Sequence, residues 1–233
     1  GDNSTKASYG GLEVASDGTL WVTTDRDSDF QRLGMLDPAT GNFTPLTTES
    51  WDVDGFDISD DGKTIVYKVN EAGSDRMRLL DVASRKVTRV DALPAGQISG
   101  LRFAPWGEIG FAFSSAKSAS DVWSLEPATM QLTRWTQSEI GGLDPSVNVE
   151  PRIVKTKSFD GLEVSGLLYL PDPARFPGKR PLIVDVHGGP EGQSTAGFMG
   201  SDNYYLNELG VGIFFPNVRG STGYGKRFVS LDN

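Results

Sequence analysis

Three short markers recur through the first 136 residues at spacings of 44 and then 45 positions, and this period restricts the fold more than any other feature of the chain. Gly18, Gly62 and Gly107 form one series. Leu36, Leu80 and Leu125, each followed by an acidic residue and an Ala/Ser/Thr turn, form the second. Phe43, Val87 and Leu132 form the third. Each repeat has one internal grammar: an alternating strand, an Asp-Gly-type turn, an apolar strand such as Leu20–Thr23 or Thr64–Tyr67, a polar loop, a third strand, a turn and a fourth strand. Glycine accepts the positive φ that tight reversals need, and Asp bonds its own backbone there. Four strands in roughly 45 residues make one propeller blade. Regular short strands also build β-sandwiches, but the fixed period favours blades. Closed propellers need about four to eight blades, so three imply further blades before Gly1.

From Thr136 the pattern changes. Residues 137–150 read as a polar connection rich in Gly, Pro and Asn. Two strands are expected near Arg152–Ser158 and Leu162–Leu170, joined at Asp160-Gly161, followed by a Pro-rich loop from Pro171 to Pro181 whose Arg175, Lys179 and Arg180 read as solvated. Leu182-Ile183-Val184-Asp185-Val186 is almost continuously apolar, the mark of a strand buried on both faces of a parallel sheet. Phe198–Leu209 reads as a helix with Tyr204, Tyr205, Leu206 and Leu209 on its apolar side and Gly210 as its stop. Val211–Phe215 reads as a second buried strand, and strand–helix–strand in this order implies an α/β sheet. The expected architecture is therefore a β-propeller portion of three four-stranded blades over 1–136, a linker over 137–150, and an α/β unit over 151–233.

Two glycine-rich segments follow the two apolar strands: His187-Gly188-Gly189-Pro190, and Asn217-Val218-Arg219-Gly220-Ser221-Thr222-Gly223-Tyr224-Gly225. A backbone N–H that stabilises a tetrahedral oxyanion must approach it to about 3 Å with no side chain between, which suits glycine. With Pro216 and Lys226-Arg227-Phe228 the second segment resembles the PNxRGSxGYGxxF stretch of the acylaminoacyl-peptidase and dipeptidyl-peptidase branches of the prolyl oligopeptidase family. The first resembles that family's HGGP loop, and Ser158–Gly166 resembles the opening hairpin of its hydrolase domain. The resemblance implies a β-propeller followed by the N-terminal half of an α/β-hydrolase domain. It implies serine-type hydrolysis of short peptides, with the Gly189 N–H as oxyanion donor in a loop shaped by Gly188 and His187. It also implies that the catalytic Ser, Asp and His lie beyond Asn233.

Within the chain itself there is no Gly-x-Ser-x-Gly elbow. Gly192-Gln193-Ser194-Thr195-Ala196 comes nearest and reads as a loop. His187, the sole histidine, reads as orienting its loop by hydrogen bonding, and Arg219 as fixing its own by ion pairing. Asn217, Gly220, Ser221, Gly223, Tyr224 and Gly225 read as a structural motif. Asp25–Asp29 imitates the start of a calcium loop but lacks the Gly and Glu that an EF-hand requires, and reads as a solvated loop between strands. Asp52, Asp54, Asp57, Asp60 and Asp61 read as an exposed face, and Trp21, Trp51, Trp106, Trp123 and Trp135 as packing within and between blades.

Composition bounds the rest. The chain carries 22 Lys+Arg against 31 Asp+Glu, for a net charge of −9, with no basic cluster of the kind that holds nucleic acid. The absence of cysteine excludes disulfides and a thiol nucleophile. No apolar run nears the ~20 residues of a membrane span. The expected partners are a peptide substrate and the remainder of the same protein, with homo-oligomerisation left open. No nucleic acid, membrane, metal or cofactor is expected, and the expected compartment is the cytoplasm, with a periplasmic or secreted location left open. The competing reading is a non-catalytic, propeller-based binding module with a degenerate hydrolase remnant.

Overall fold

The computed structural model describes residues 6–15, 17–189 and 191–232; Ser16 of the first repeat and Pro190 of the first glycine segment lie outside them. Among the described residues there are four sheets of four strands each. The first three are antiparallel meanders. They comprise β1 (Tyr9–Val14), β2 (Leu20–Thr24), β3 (Arg32–Leu36) and β4 (Phe43–Pro45); β5 (Val53–Ile58), β6 (Thr64–Glu71), β7 (Ser74–Asp81) and β8 (Val87–Arg89); and β9 (Gly96–Phe103), β10 (Ile109–Ser115), β11 (Ser118–Glu126) and β12 (Gln131–Arg134).

The period seen in the sequence is a period of register. Across the first blade Val14, Leu20, Leu36 and Phe43 stand side by side, strand by strand. Ile58, Ile65, Leu80 and Val87 do so in the second, and Phe103, Ile109, Leu125 and Leu132 in the third. The second and third markers thus share one row of each blade, with the glycine marker in the turn beside it, and they are kept at 44 to 45 residues because a one-residue slip would turn every side chain to the opposite face.

The second blade is buried on both faces. Ile65, Tyr67 and Val69 of β6 and Leu80 of β7 pack with Trp21, Leu33, Val53 and Phe56 on the first blade's side. Val66, Met77 and Leu79, from the intervening positions, pack with Ile98, Leu101, Ile109 and Phe113 on the third blade's side. Carboxylates lace the inner strands together: Asp57 accepts from the Phe103 N–H at 2.6 Å, and Asp75 from the Ile98 N–H at 2.8 Å. Asp52 accepts from the Gln31 N–H at 2.8 Å. Asp52 and Asp57 are therefore blade connectors, because a carboxylate beside a neighbouring strand satisfies an otherwise unpaired amide, while Asp54, Asp60 and Asp61 form the exposed face expected. Two tryptophans also depart from expectation. Trp106 is 77% exposed at the β9–β10 turn and Trp135 is 63% exposed on the outer side of the third blade, where no further sheet stacks against them among the described residues.

The fourth sheet comprises β13 (Arg152–Lys157), β14 (Glu163–Tyr169), β15 (Leu182–Val184) and β16 (Gly212–Asn217) in the order β13-β14-β16-β15. Only β15 and β16 run parallel, with Ile183 opposite Ile213. The helical segment between them is shorter than the sequence suggests. A 3-10 turn at Gly200–Asp202 precedes α1 (Asn203–Asn207), Leu206 alone of the expected apolar side is buried, and Gly210 ends the segment at φ +59°. Arg180 is not merely solvated, since its guanidinium donates to the Gly210 and Leu209 carbonyls at 2.8 and 2.9 Å and so completes the helix end. The expectation that β15 is buried on both faces is corrected: Leu182, Ile183, Val184 and Val186 are all exposed, because β15 is the sheet's edge and no helix or sheet covers either face among the described residues. Tyr204, Tyr205 and Leu209 are exposed with it.

Candidate active site

Because β15 and β16 are parallel, the two glycine segments leave the sheet at the same end. Outside the carboxyl ends of parallel strands, where neighbouring connections diverge, is where open α/β sheets hold their ligands. His187 joins the two segments: its Nε2 lies 2.8 Å from Ser221 Oγ. A Ser–His contact at this distance is the geometry of an activated nucleophile, but the polarity here is reversed. Ser221 is fully buried and its hydroxyl donates to the Val218 carbonyl at 2.6 Å, so the oxygen receives the Nε2 proton of His187. The pair is a strut between loops.

Gly189 stands at φ +141°, and a Cβ there would fall 2.9 Å from the Glu191 amide nitrogen. Around Gly188 there is open space. Among the described residues the Gly189 N–H makes no hydrogen bond, so one backbone donor in this turn has no described protein acceptor.

The second segment is anchored along its length. Asn217, fully buried, treats Ser194 as a strand partner: its Oδ1 accepts from the Ser194 N–H at 2.7 Å and its Nδ2 donates to the Ser194 carbonyl at 3.0 Å. The same Nδ2 donates to the Tyr224 hydroxyl at 2.9 Å, which also meets Ser165 Oγ at 2.7 Å. Burial pushes the Tyr224 phenol above its ordinary pKa, and its ring meets Trp51, in the link between the first two blades, edge-on at 5.4 Å. Arg219 pairs with Asp160 in the β13–β14 turn and stands 4.8 Å over the Phe159 ring. The hydrogen bond from Arg219 holds the Asp160 carboxyl below its usual range. Gly220, Gly223 and Gly225 all have positive φ; at Gly223 a Cβ would meet the Gln193 and Asn70 amides within 2.7 Å.

The blades contribute more than the sequence suggests. The loop Asp25–Asp29 is a docking loop. Asp25 is buried and accepts from the Ser8 N–H at 2.7 Å. Asp29 accepts from the Arg227 N–H at 2.8 Å and from Arg227 Nε at 3.0 Å, at the start of α2 (Lys226–Val229). Between this loop and the glycine segments lies a cavity of about 580 Å³ bordered by Asp25, Asp29, Asp52, Asp54, Glu191 and Lys226. Burial, with the nearby Asp25 and Asp54 charges, pushes the Asp52 carboxyl above its ordinary pKa against the pull of the Gln31 and Gly225 amides. Asn70, Gly73 and Asp29, which carry the blade side of this junction, and Gln193 opposite them have no signature in sequence because their partners are more than a hundred residues away. Among the described residues no group of three His, Cys, Asp or Glu side chains could hold a metal, and no helix is long and apolar enough to cross a membrane.

No family model matches the chain. It is 27% identical over 240 residues to dipeptidyl aminopeptidase BIII of Pseudoxanthomonas mexicana, covering 97% of this chain and 34% of that protein. Among solved structures it superposes on puromycin hydrolase with a TM-score of 0.82 at 24% identity, over 96% of this chain and 35% of the other. It superposes on prolyl oligopeptidase B from Galerina marginata with a TM-score of 0.81 at 16% identity, over 98% and 33%. The chain thus spans about a third of the length of the proteins it matches.

Proposed function

We propose, for a chain whose curated and structural relatives point to the prolyl oligopeptidase and dipeptidyl aminopeptidase family of serine peptidases, that it is part of a longer peptidase that cleaves short peptides by acyl transfer. In this reading residues 1–136 are blades of a propeller that limits access to small or extended peptides. Residues 137–150 link them to residues 151–233, the first half of an α/β-hydrolase domain. The serine nucleophile, the histidine that relays its proton and the aspartate that orients that histidine are supplied by the remainder of the same protein.

This chain's part in the chemistry is electrostatic. When the serine oxygen attacks the scissile carbonyl, negative charge gathers on the carbonyl oxygen, and the Gly189 N–H donates to it. Gly188 leaves room for the substrate, and His187, tied to Ser221, keeps the loop from turning away. A donor set in advance costs no reorganisation as the charge develops. The observation that carries the reading is the Gly189 N–H, without a hydrogen bond among the described residues, held at positive φ beyond the carboxyl end of an edge strand, beside a second glycine segment at the same end of the sheet. The strand order β13-β14-β16-β15, with β15 open along its outer edge, supports a sheet that continues in the remainder of the protein.

The test is steady-state hydrolysis of a panel of chromogenic aminoacyl, dipeptidyl and acylaminoacyl amides by the full-length protein and its Gly189→Ala variant. The expected result is turnover of at least one class, with kcat about 100-fold lower in the variant, because the added Cβ, 2.9 Å from the Glu191 nitrogen, shifts the turn and misaligns the N–H that alanine retains. No turnover of any class, or full turnover by the variant, contradicts the assignment.

A further inference from the structure

We propose that the β6–β7 hairpin of the second blade is a positioning element for the loop that carries Gly189, so that the oxyanion donor is set only while the blades are seated against the fourth sheet. The kinetic consequence rests on the peptidase reading; the positioning itself does not. The hairpin reverses through Ala72 and Gly73 at φ 54° and 87°, the two left-handed residues of a tight turn. Asn70 braces it by accepting from the Gly73 N–H at 2.9 Å.

The same Asn70 then reaches across the junction. Its Nδ2 donates to Gln193 Oε1 at 2.7 Å, and Gln193 Nε2 donates back to Asn70 Oδ1 at 3.3 Å. The Gly73 carbonyl accepts from the Ala196 N–H at 2.7 Å. There is no slack in the contact, since a Cβ on Gly73 would lie 2.5 Å from the Ser194 carbonyl oxygen. On its other side the loop is held by the second glycine segment, through Asn217 on Ser194 and through the Thr222 N–H donating to the Gly192 carbonyl at 2.8 Å.

Residues 192–196 are thus gripped from two directions, and Gly189 lies four positions before Gln193 with no hydrogen bond of its own among the described residues. Lifting the blade away removes one of the two grips. A displacement of the order of 1 Å costs a catalytic donor about 100-fold in rate, so partial separation of the two parts is enough to disable the site.

The experiment uses two variants of the full-length protein. Gln193→Ala removes the amide pair and leaves the hairpin's own turn intact; Gly73→Ala pushes the hairpin off the loop. Hydrogen exchange of the 188–197 amides is expected to quicken in both, with exchange of 64–71 in the blade unchanged in Gln193→Ala, whose substitution lies outside the hairpin. On the best chromogenic amide, kcat is expected to fall about 10-fold for Gln193→Ala and about 100-fold for Gly73→Ala, with KM changed less than about twofold. Unchanged exchange over 188–197 in both variants overturns the proposal, as does quickening spread equally through the second blade in Gln193→Ala. If exchange responds as expected but the unmodified protein hydrolyses no amide, the positioning stands and the peptidase reading falls.

Discussion

A central strand of the second blade and the edge strand of the fourth sheet both carry branched apolar side chains, yet these meet opposite fates. In β6 Ile65, Val66, Tyr67 and Val69 are completely buried, successive side chains feeding the cores on either side. In β15 Leu182, Ile183 and Val184 are all exposed. Strand propensity does not separate them, since both are rich in branched residues. The difference lies in what is stacked on each face: the second blade has a blade on either side, whereas β15 has one hydrogen-bonded neighbour and nothing over its faces among the described residues. An apolar strand thus declares that it needs cover, and only the surrounding sheets decide whether this stretch of chain supplies it.

That contrast can be broken or sharpened by substitution in the full-length protein. The largest effect is expected at Phe113, buried where the second and third blades meet. Phe113→Ala should cost about 4 kcal/mol in a urea melt, and a cost under ~1 kcal/mol would mean that the blades do not pack as described. Next comes Asp121, a buried carboxylate that closes the third blade. It accepts from Ser118 Oγ, Arg134 Nη2, Thr136 Oγ1 and the Ser138 N–H at 2.5 to 3.0 Å. Burial alone would raise its pKa, but these donors more than reverse that and hold it at about 2.

A folded-state pKa below that of the unfolded chain, about 4, stabilises the fold above pH 4 and loses that contribution as pH falls toward 2. Asp121→Asn should therefore cost about 3 kcal/mol at neutral pH and flatten the stability–pH curve between 4 and 2; an unchanged acid limb would contradict the assignment. A smaller effect separates two states of the fourth sheet. Val184→Ala should cost about 2 kcal/mol if the remainder of the protein covers β15, and under ~0.5 kcal/mol if the edge stays as open as it is here. The smallest effect is expected for Trp106→Ala, under ~0.5 kcal/mol by the same melt, because its ring stands in solvent.

The same contrast explains how much was legible in the sequence. The blades were, because Leu36, Leu80 and Leu125 recur at one register position and a repeat is its own alignment. The β13–β14 hairpin was, because Asp160-Gly161 punctuates it. The burial of β15 was misread because continuous apolarity reports a requirement and not its fulfilment. Trp106 and Trp135 were misread because repeat position does not reveal which blade face lies outermost. At the candidate site, the two glycine segments stood out in the sequence through their glycines and their place directly after the two apolar strands. The docking role of Asp25–Asp29 and the Asn70–Gln193 pair did not, because a hydrogen bond between residues 123 positions apart leaves no local pattern.

The most direct test of the central claim, that this chain holds an oxyanion loop for a serine carried elsewhere in the protein, is labelling of the full-length protein with a fluorophosphonate followed by mapping of the modified peptide. One labelled serine, C-terminal to residue 233 and within a Gly-x-Ser-x-Gly segment, is the predicted result. No labelling, or labelling of Ser194 or Ser221 within this chain, would contradict it.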